Sequence, residues 1–275
     1  MSIPKTKLRP PILRHPIVRR TRLTNTFTNR RPLTIVSAPA GSGKTTLALE
    51  WVADNNARAA WLSLDEEDND PILFVNGLVA SLQRIKLKIR IPPGQRDIKT
   101  ILTEIINQVS DTEPLILVLD DYHLIAEGTI HSALTYLLDP IPASLQLVLV
   151  TREEPPFPLA RFRARGQLRE FHISDLRFTS AETKQYLNQV MGLNLPNEKI
   201  RSLEQHTQGW IAGLQMAALS LQADRGQQIP NANEHQFITE YLLTEVFNRQ
   251  PHQVQTFLLN TSILNKFSPA LCRSI

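Results

Sequence analysis

The run Ala38-Pro39-Ala40-Gly41-Ser42-Gly43-Lys44-Thr45 brings two glycines, a lysine and a threonine together at a spacing suited to holding a polyphosphate. Glycine takes left-handed dihedrals at little cost, so Gly41 and Gly43 allow successive backbone N–H groups to turn inward around a phosphate. Lys44 follows as a cation for the β- and γ-oxygens, and the Thr45 hydroxyl is an oxygen ligand of the kind Mg2+ prefers. An ordinary glycine-rich turn would not need the Gly43-Lys44-Thr45-Thr46 run that follows. Ala38 stands where the pattern usually begins with glycine. The expected nucleotide cradle is therefore Ala40, Gly41, Ser42, Gly43, Lys44, Thr45 and Thr46, binding a nucleoside triphosphate with Mg2+.

A phosphate loop of this type calls for an acid on a second strand. Leu115-Ile116-Leu117-Val118-Leu119 is an uninterrupted apolar run that ends in Asp120-Asp121. Asp120 is expected to hold Mg2+, and Asp121 to orient or deprotonate a water attacking the γ-phosphate; a polar strand end capping a turn is the plainer alternative. Val148-Leu149-Val150-Thr151-Arg152 is a further strand ending on an arginine. Arg152 is expected to sense the γ-phosphate and to stabilise charge on the transferring group, against the simpler reading of a surface arginine opening the Pro155-Pro156 loop. Arg161, Arg163 and Arg165 read as a solvated face. Asp65, Glu66, Glu67, Asp68 and Asp70 lack the glycine and regular ligand spacing of a calcium loop and read as a loop and a helix cap.

These residues need a scaffold that carries them to one place. Leu33 to Val36 reads as a short buried strand leading into the loop, and Lys44 to Asn55 as the helix leaving it. Strands at 59–64, 115–119, 145–151 and 168–173 alternate with helices at 71–86, 97–110, 128–138 and 158–164. Asp70-Pro71 marks the start of the first of these helices. Alternation of this kind predicts a parallel sheet with helices on both faces. From about residue 174 only helical periodicity remains, with helices expected at 180–190, 197–206, 209–222, 234–248 and 251–260.

The chain has 275 residues, 42% of them hydrophobic and 20% charged, which fits a packed, folded protein with two domains as the natural division. Cys272 is the only cysteine, excluding an internal disulfide and a cysteine-based zinc or iron–sulfur site, and the seven histidines show no metal-ligand spacing. No run approaches the ~20 apolar residues that cross a bilayer, and the N-terminus lacks a signal-peptide core, so a cytoplasmic location without membrane contact is expected. The net charge of +4 hides an asymmetry: residues 1–49 hold ten Lys and Arg and no acid. A basic arm of this kind could grip nucleic acid or could pack on the first domain. It has no interleaved aromatics and carries prolines at 4, 10, 11 and 16.

Taken together, Thr6-Lys7-Leu8-Arg9-Pro10-Pro11, Ser37 to Thr46, Ala60-Trp61-Leu62-Ser63-Leu64-Asp65, Asp120-Asp121-Tyr122-His123, Leu149-Val150-Thr151-Arg152 and Gly209-Trp210-Ile211-Ala212-Gly213-Leu214 resemble the signal-transduction ATPases with numerous domains. Within that class the resemblance is to bacterial regulators similar to the maltose regulon activator, which carry a LuxR-type helix-turn-helix. It implies a P-loop sheet of order 5-1-4-3-2, a helical domain and a winged helix, here 33–173, 174–249 and the incomplete 250–275, after an arm over 1–32. It also implies that Val18 and Arg20 line an adenine pocket, that slow hydrolysis resets an inducer-dependent oligomerisation switch, and that the chain self-associates or joins related regulators in the ATP state. The family's Gly-x-Pro nucleotide contact has Ile211 in the proline position, which leaves that contact unassigned. No DNA-reading domain is expected within this chain. A stand-alone module that holds nucleotide without turnover is the alternative.

Overall fold

Five parallel strands occupy the apolar runs of the sequence: β1 (Leu33–Ser37), β2 (Arg58–Ser63), β3 (Leu115–Asp120), β4 (Leu145–Thr151) and β5 (Leu168–Phe171). The computed structural model describes residues 3–13, 16–28, 30–54, 58–91, 97–226, 243, 247, 248 and 250–262. The sheet order is β2-β3-β4-β1-β5, the 5-1-4-3-2 arrangement that the resemblance implies. Every neighbouring pair is parallel, with Ile35 opposite Leu149 and Val118 opposite Val148. Such a sheet is covered on both faces, which is why its strands are apolar throughout.

Side chains alternate across the pleat and divide by type. Leu33, Ile35, Leu117, Leu119, Leu147 and Leu149 enter one core, while Val36, Val118, Val148 and Val150 enter the other. The valine face is covered by α1 (Thr21–Thr24) and α2 (Lys44–Asp54), through Leu23, Leu47 and Trp51. The leucine face is covered by α3 (Pro71–Arg84), α4 (Ile98–Ser110) and α5 (Gly128–Leu138), joined by Leu159 and Phe162 of α6 (Leu159–Ala164). Asp120 shares the parity of Ile116 and Val118, so the pleat turns it toward α2, where the phosphate loop ends.

Local chemistry fixes the element ends. Asp70 accepts hydrogen bonds from the Ile72 and Leu73 amides at 2.8 and 3.1 Å, and Pro71 fills a first-turn position that has no acceptor for an N–H. Asp70→Ala is expected to cost about 1 kcal/mol, read as a lower denaturant midpoint at unchanged slope. β5 stops two residues short of the expected 168–173 because the His172 amide donates to Asp175 Oδ2 at 2.7 Å, opening α7 (Ile173–Leu176).

Beyond α7 the described elements are helical: α8 (Ser180–Gln185), α9 (Asn197–Thr207), α10 (Ile211–Gly226) and α11 (His252–Thr261). The helix expected over 180–190 changes to π-helical winding at Tyr186–Val190. The helix expected over 234–248 lies outside the described residues except at 243, 247 and 248. Phe178, Tyr186, Leu187, Leu193, Ile200, Leu214 and Ala218 form a third core, and Val18 of the N-terminal segment belongs to it. Among the described residues no helix is long and apolar enough to cross a membrane.

The basic arm turns several of its cations inward. Lys7 Nζ lies 2.8 Å from Asp65 and 2.6 Å from Asp68, and the Lys7 carbonyl accepts the Ser63 amide at 2.9 Å, which straps the arm to the end of β2. Arg22 makes a two-point pair with Glu182 at 3.0 and 3.2 Å and donates to the Asp175 and Arg177 carbonyls, both at 2.8 Å. The charge asymmetry of the sequence is thus partly resolved within the chain. Arg161 pairs with Asp139, and Arg163 with Glu154 and Glu170, all partly exposed, in keeping with a solvated face.

Candidate functional site

The loop 38–43 connects the end of β1, the fourth strand in spatial order, to the N-terminus of α2. Gly41 and Gly43 have φ of 70° and 74°, the left-handed conformation that turns alternate amides to one side. At Gly43 a Cβ would also meet Ile211 Cδ1 at 2.7 Å and Arg20 Nη1 at 3.1 Å, so the position is closed to side chains for two separate reasons. Aligned amides at a helix N-terminus favour an anion.

Lys44 is buried and folds back to donate to the Pro39 carbonyl at 3.0 Å. Burial, and after it the nearby Arg152 charge, lower its pKa to about 8 against the pull of Asp121 and Asp120. Arg152, directly after β4, is therefore close enough to act on the same anion as Lys44. A buried ammonium with a partly exposed guanidinium near it suits a polyanion.

The Thr45 hydroxyl donates to Asp120 Oδ1 at 3.1 Å. Asp120 is buried, and burial followed by the adjacent Asp121 charge raises its pKa to about 6. A hydroxyl and a carboxylate side by side form an oxygen-only donor set, which fits a hard divalent cation. A cation there would also offset the charge repulsion that the pair of carboxylates now carries. Asp121 has φ of 58°, a left-handed conformation uncommon outside glycine, and its carboxylate is half-exposed, 3.9 Å from His123 Nδ1. Outliers of this kind cluster at functional sites.

A cavity of about 410 Å3 opens beside Gly43, lined by Val18, Arg20, Thr46, Glu50, Ile211 and Gln215 among others. Its walls are largely apolar, and the π-helical turn contributes Tyr186 and Val190. A mainly apolar slot beside a phosphate loop suits a nucleobase. Val18, Arg20, Gly43 and Thr46 thus meet in one cavity. Lys44, Thr45, Asp120 and Arg152 lie at the neighbouring end of the loop, and Ala40 and Ser42 line a second cavity of about 250 Å3 with Trp210 and Ile211.

Arg20 does more than line the slot. Its amide donates to Glu50 Oε2 at 2.8 Å, its Nε and Nη2 reach Glu50 Oε1 at 3.3 and 3.1 Å, and Nη2 also donates to the Gly43 carbonyl at 2.8 Å. Both side chains are almost fully buried. The pair therefore braces the phosphate loop from behind. Sequence reasoning missed Glu50, although one signal marks it: Glu50 is the first acidic residue of the chain and sits on the helix that follows the loop. The segment 209–211, whose nucleotide contact the resemblance left unassigned, lies against the loop. Ile211 closes over Gly43, Trp210 Nε1 donates to the Ala40 carbonyl at 3.2 Å, and the Ala212 amide donates to the Gly41 carbonyl at 3.1 Å.

A parallel five-stranded sheet in this order, with a glycine-rich phosphate loop after its first strand and paired carboxylates after its third, is a P-loop ATPase fold. The solved structure of the Aeropyrum pernix Orc1 protein in complex with DNA shares it at a TM-score of 0.51 and 13% identity, over 89% of this chain and 70% of that one; this likeness concerns the fold alone. In sequence, the chain is a relative of the MalT regulators. It is 32% identical to the HTH-type transcriptional regulator MalT of Serratia proteamaculans over 98% of its own length and 31% of that protein. With the MalT of Vibrio cholerae it shares 31% identity over 88% of its length and 28% of the relative. The serine/threonine-protein kinase PknK of Mycobacterium tuberculosis is 30% identical over 99% of this chain and 26% of that protein. The chain thus spans about a third or less of the length of the curated relatives it matches. Residues 243–275 match the MalT winged helix domain. A winged helix is built on a helix-turn-helix, so this partial match qualifies the expectation of a chain without any DNA-binding domain; α11 is its main part among the described residues.

Proposed function

We propose that this chain is the nucleotide-responsive module of a MalT-like regulator, binding ATP or ADP with Mg2+ and using slow hydrolysis to reset a conformational switch that controls transcription. The observation that carries this reading is the juxtaposition of Thr45 with Asp120 at 3.1 Å, next to a Lys44 whose ammonium is destabilised by burial and by Arg152. Thr45 and Asp120 would hold Mg2+, which neutralises charge on the phosphates when bound. Lys44 and Arg152 would neutralise the remaining oxygens. Asp121, half-exposed and next to Asp120, would orient the attacking water and take its proton. Val18 and Thr46, with the rest of the apolar cavity, would take the adenine.

The relatives support assigning the switch to this stretch and the output to other parts. The same stretch matches proteins named as a transcriptional regulator and as a protein kinase, whose outputs differ while this portion is shared. A nucleotide-controlled change of self-association is the kind of activity that both could use. The proposed division follows the elements: an arm over 1–32, the nucleotide domain over 33–173, a helical domain over 174–249 and a winged-helix portion after it. Size-exclusion chromatography with ADP against a non-hydrolysable ATP analogue tests the switch, and identical elution in the full-length regulator defeats it.

Turnover has its own test. Asp121→Ala is expected to lower phosphate release by on the order of 100-fold or more, as loss of a general base does, while leaving ATP affinity within about threefold. Phosphate release equal in the two proteins would favour the second reading, a module that holds nucleotide without turning it over.

A further inference from the structure

A phosphate loop works only if its amides point at the phosphates. Each peptide unit sets its N–H and C=O in opposite directions, so a loop with inward amides has outward carbonyls that need donors of their own when removed from water. Three of these carbonyls find them outside the loop: Gly43 on Arg20, Gly41 on the Ala212 amide and Ala40 on the Trp210 indole. The last two donors come from a segment about 170 residues further along the chain.

That segment is shaped for the purpose. Gly209 has φ of 72°, and a Cβ there would strike the Phe178 carbonyl at 2.5 Å, while the Phe178 amide donates to the Gly209 carbonyl at 2.9 Å. The backbone of 209 is therefore pinned to the connector before α8. A Cβ on Gly213 would lie 2.6 Å from Trp210 Cε3. The bare position at 213 leaves room for the indole, whose N–H lies on the Ala40 carbonyl, and the bare position at 209 lets the backbone close on Phe178.

We propose that Trp210 is a positioning residue for the phosphate loop: its indole N–H, with the Ala212 amide beside it, holds the Ala40 and Gly41 carbonyls outward and so keeps the loop's amides turned toward the nucleotide. This rests on the nucleotide-binding reading above and assigns a role to a residue that touches no phosphate. Phosphate drawn to the inward amides polarises the same peptide units and strengthens their outward carbonyls as acceptors. Nucleotide therefore tightens the seat of α10, and a seated α10 tightens the nucleotide by the same factor. The loop and the helical part communicate through two hydrogen bonds at the back of the loop.

Trp210→Phe keeps an aromatic ring against Gly213 and removes the donor. With MgADP and MgATP as probes, stopped-flow measurement should show nucleotide leaving the variant about tenfold faster than wild type, the scale of one hydrogen bond. Hydrogen exchange supplies a readout that simple packing would not move. In wild type, MgADP should slow exchange at the Ala212 amide and along the first turn of α10; in Trp210→Phe that slowing should be lost while protection of β1 and β3 by nucleotide remains. A folded Trp210→Phe protein with wild-type release rates, or with faster release but unchanged slowing at Ala212, overturns the proposal. Should Trp210→Phe fail to fold, Gly213→Ala displaces the ring without removing it, and wild-type release in that variant overturns the proposal equally. Failure of wild type to bind nucleotide at all would instead defeat the underlying functional reading.

Discussion

Glu50→Ala lowers the melting temperature by on the order of 10 °C, because it strips the counter-charge from a buried guanidinium. Arg20 is 1% exposed and the Glu50 side chain 2%. Burial alone pulls the Arg20 pKa down, and the Glu50 charge is what chiefly opposes that. Removing one partner of such a pair costs about 3–5 kcal/mol, which in a chain of this size corresponds to a shift of that order. The loss also reaches the site, since Arg20 loses the carboxylate that orients its Nη2 on the Gly43 carbonyl. The double variant Arg20→Met, Glu50→Leu is expected to recover most of the stability, because a well-packed apolar pair replaces a desolvated ionic one, yet not the nucleotide affinity. Thermal unfolding followed by circular dichroism separates the cases. A single variant that melts within about 2 °C of wild type would show the pair to be dispensable.

Lys44→Ala weakens ATP binding by on the order of 10- to 100-fold, the range expected when a charge-assisted hydrogen bond to phosphate is removed. Calorimetry gives a second, sharper test through protons. Without nucleotide, Lys44 has a pKa of about 8, lowered by burial and by Arg152. Phosphate oxygens beside the ammonium favour its charged form and raise that pKa. Above pH 8, then, wild type takes up protons as nucleotide binds, whereas at pH 6.5 Lys44 is already charged and contributes none. Titrations at pH 9 in two buffers of different ionisation enthalpy should reveal uptake in wild type and its absence in Lys44→Ala. Equal uptake in the two proteins would assign the proton to another group.

The fold was legible because the sheet is buried on both faces. Runs such as Leu115 to Leu119 have no polar residue to obscure them, and Asp70-Pro71 states a helix start outright. Lys44, Thr45 and Asp120 were legible because a phosphate loop constrains residue type and spacing together. The missing parts are those in which partners stand far apart in sequence. Arg20 pairs with Glu50 across 30 residues, Arg22 with Glu182 across 160, and Trp210 reaches Ala40 across 170. Nothing local to those residues announces the partner, and even Arg20, expected at an adenine pocket, gave no sign of Glu50. The π-helical turn at Tyr186–Val190 was hidden similarly, since its apolar spacing suits an ordinary helix until packing around Leu187 and the cavity selects the wider one.

The strap formed by Lys7 acquires a different meaning at the margin of the sheet. β2 is an outermost strand, and an outermost strand presents unpaired amides that another chain can extend into a shared sheet. Here the Ser63 amide is already taken by the Lys7 carbonyl, and the Lys7 ammonium is tied to Asp65 and Asp68 just past the strand. The chain closes that end of its sheet with its own first residues. Any pairing of copies through their sheets would thereby be blocked at that end of β2.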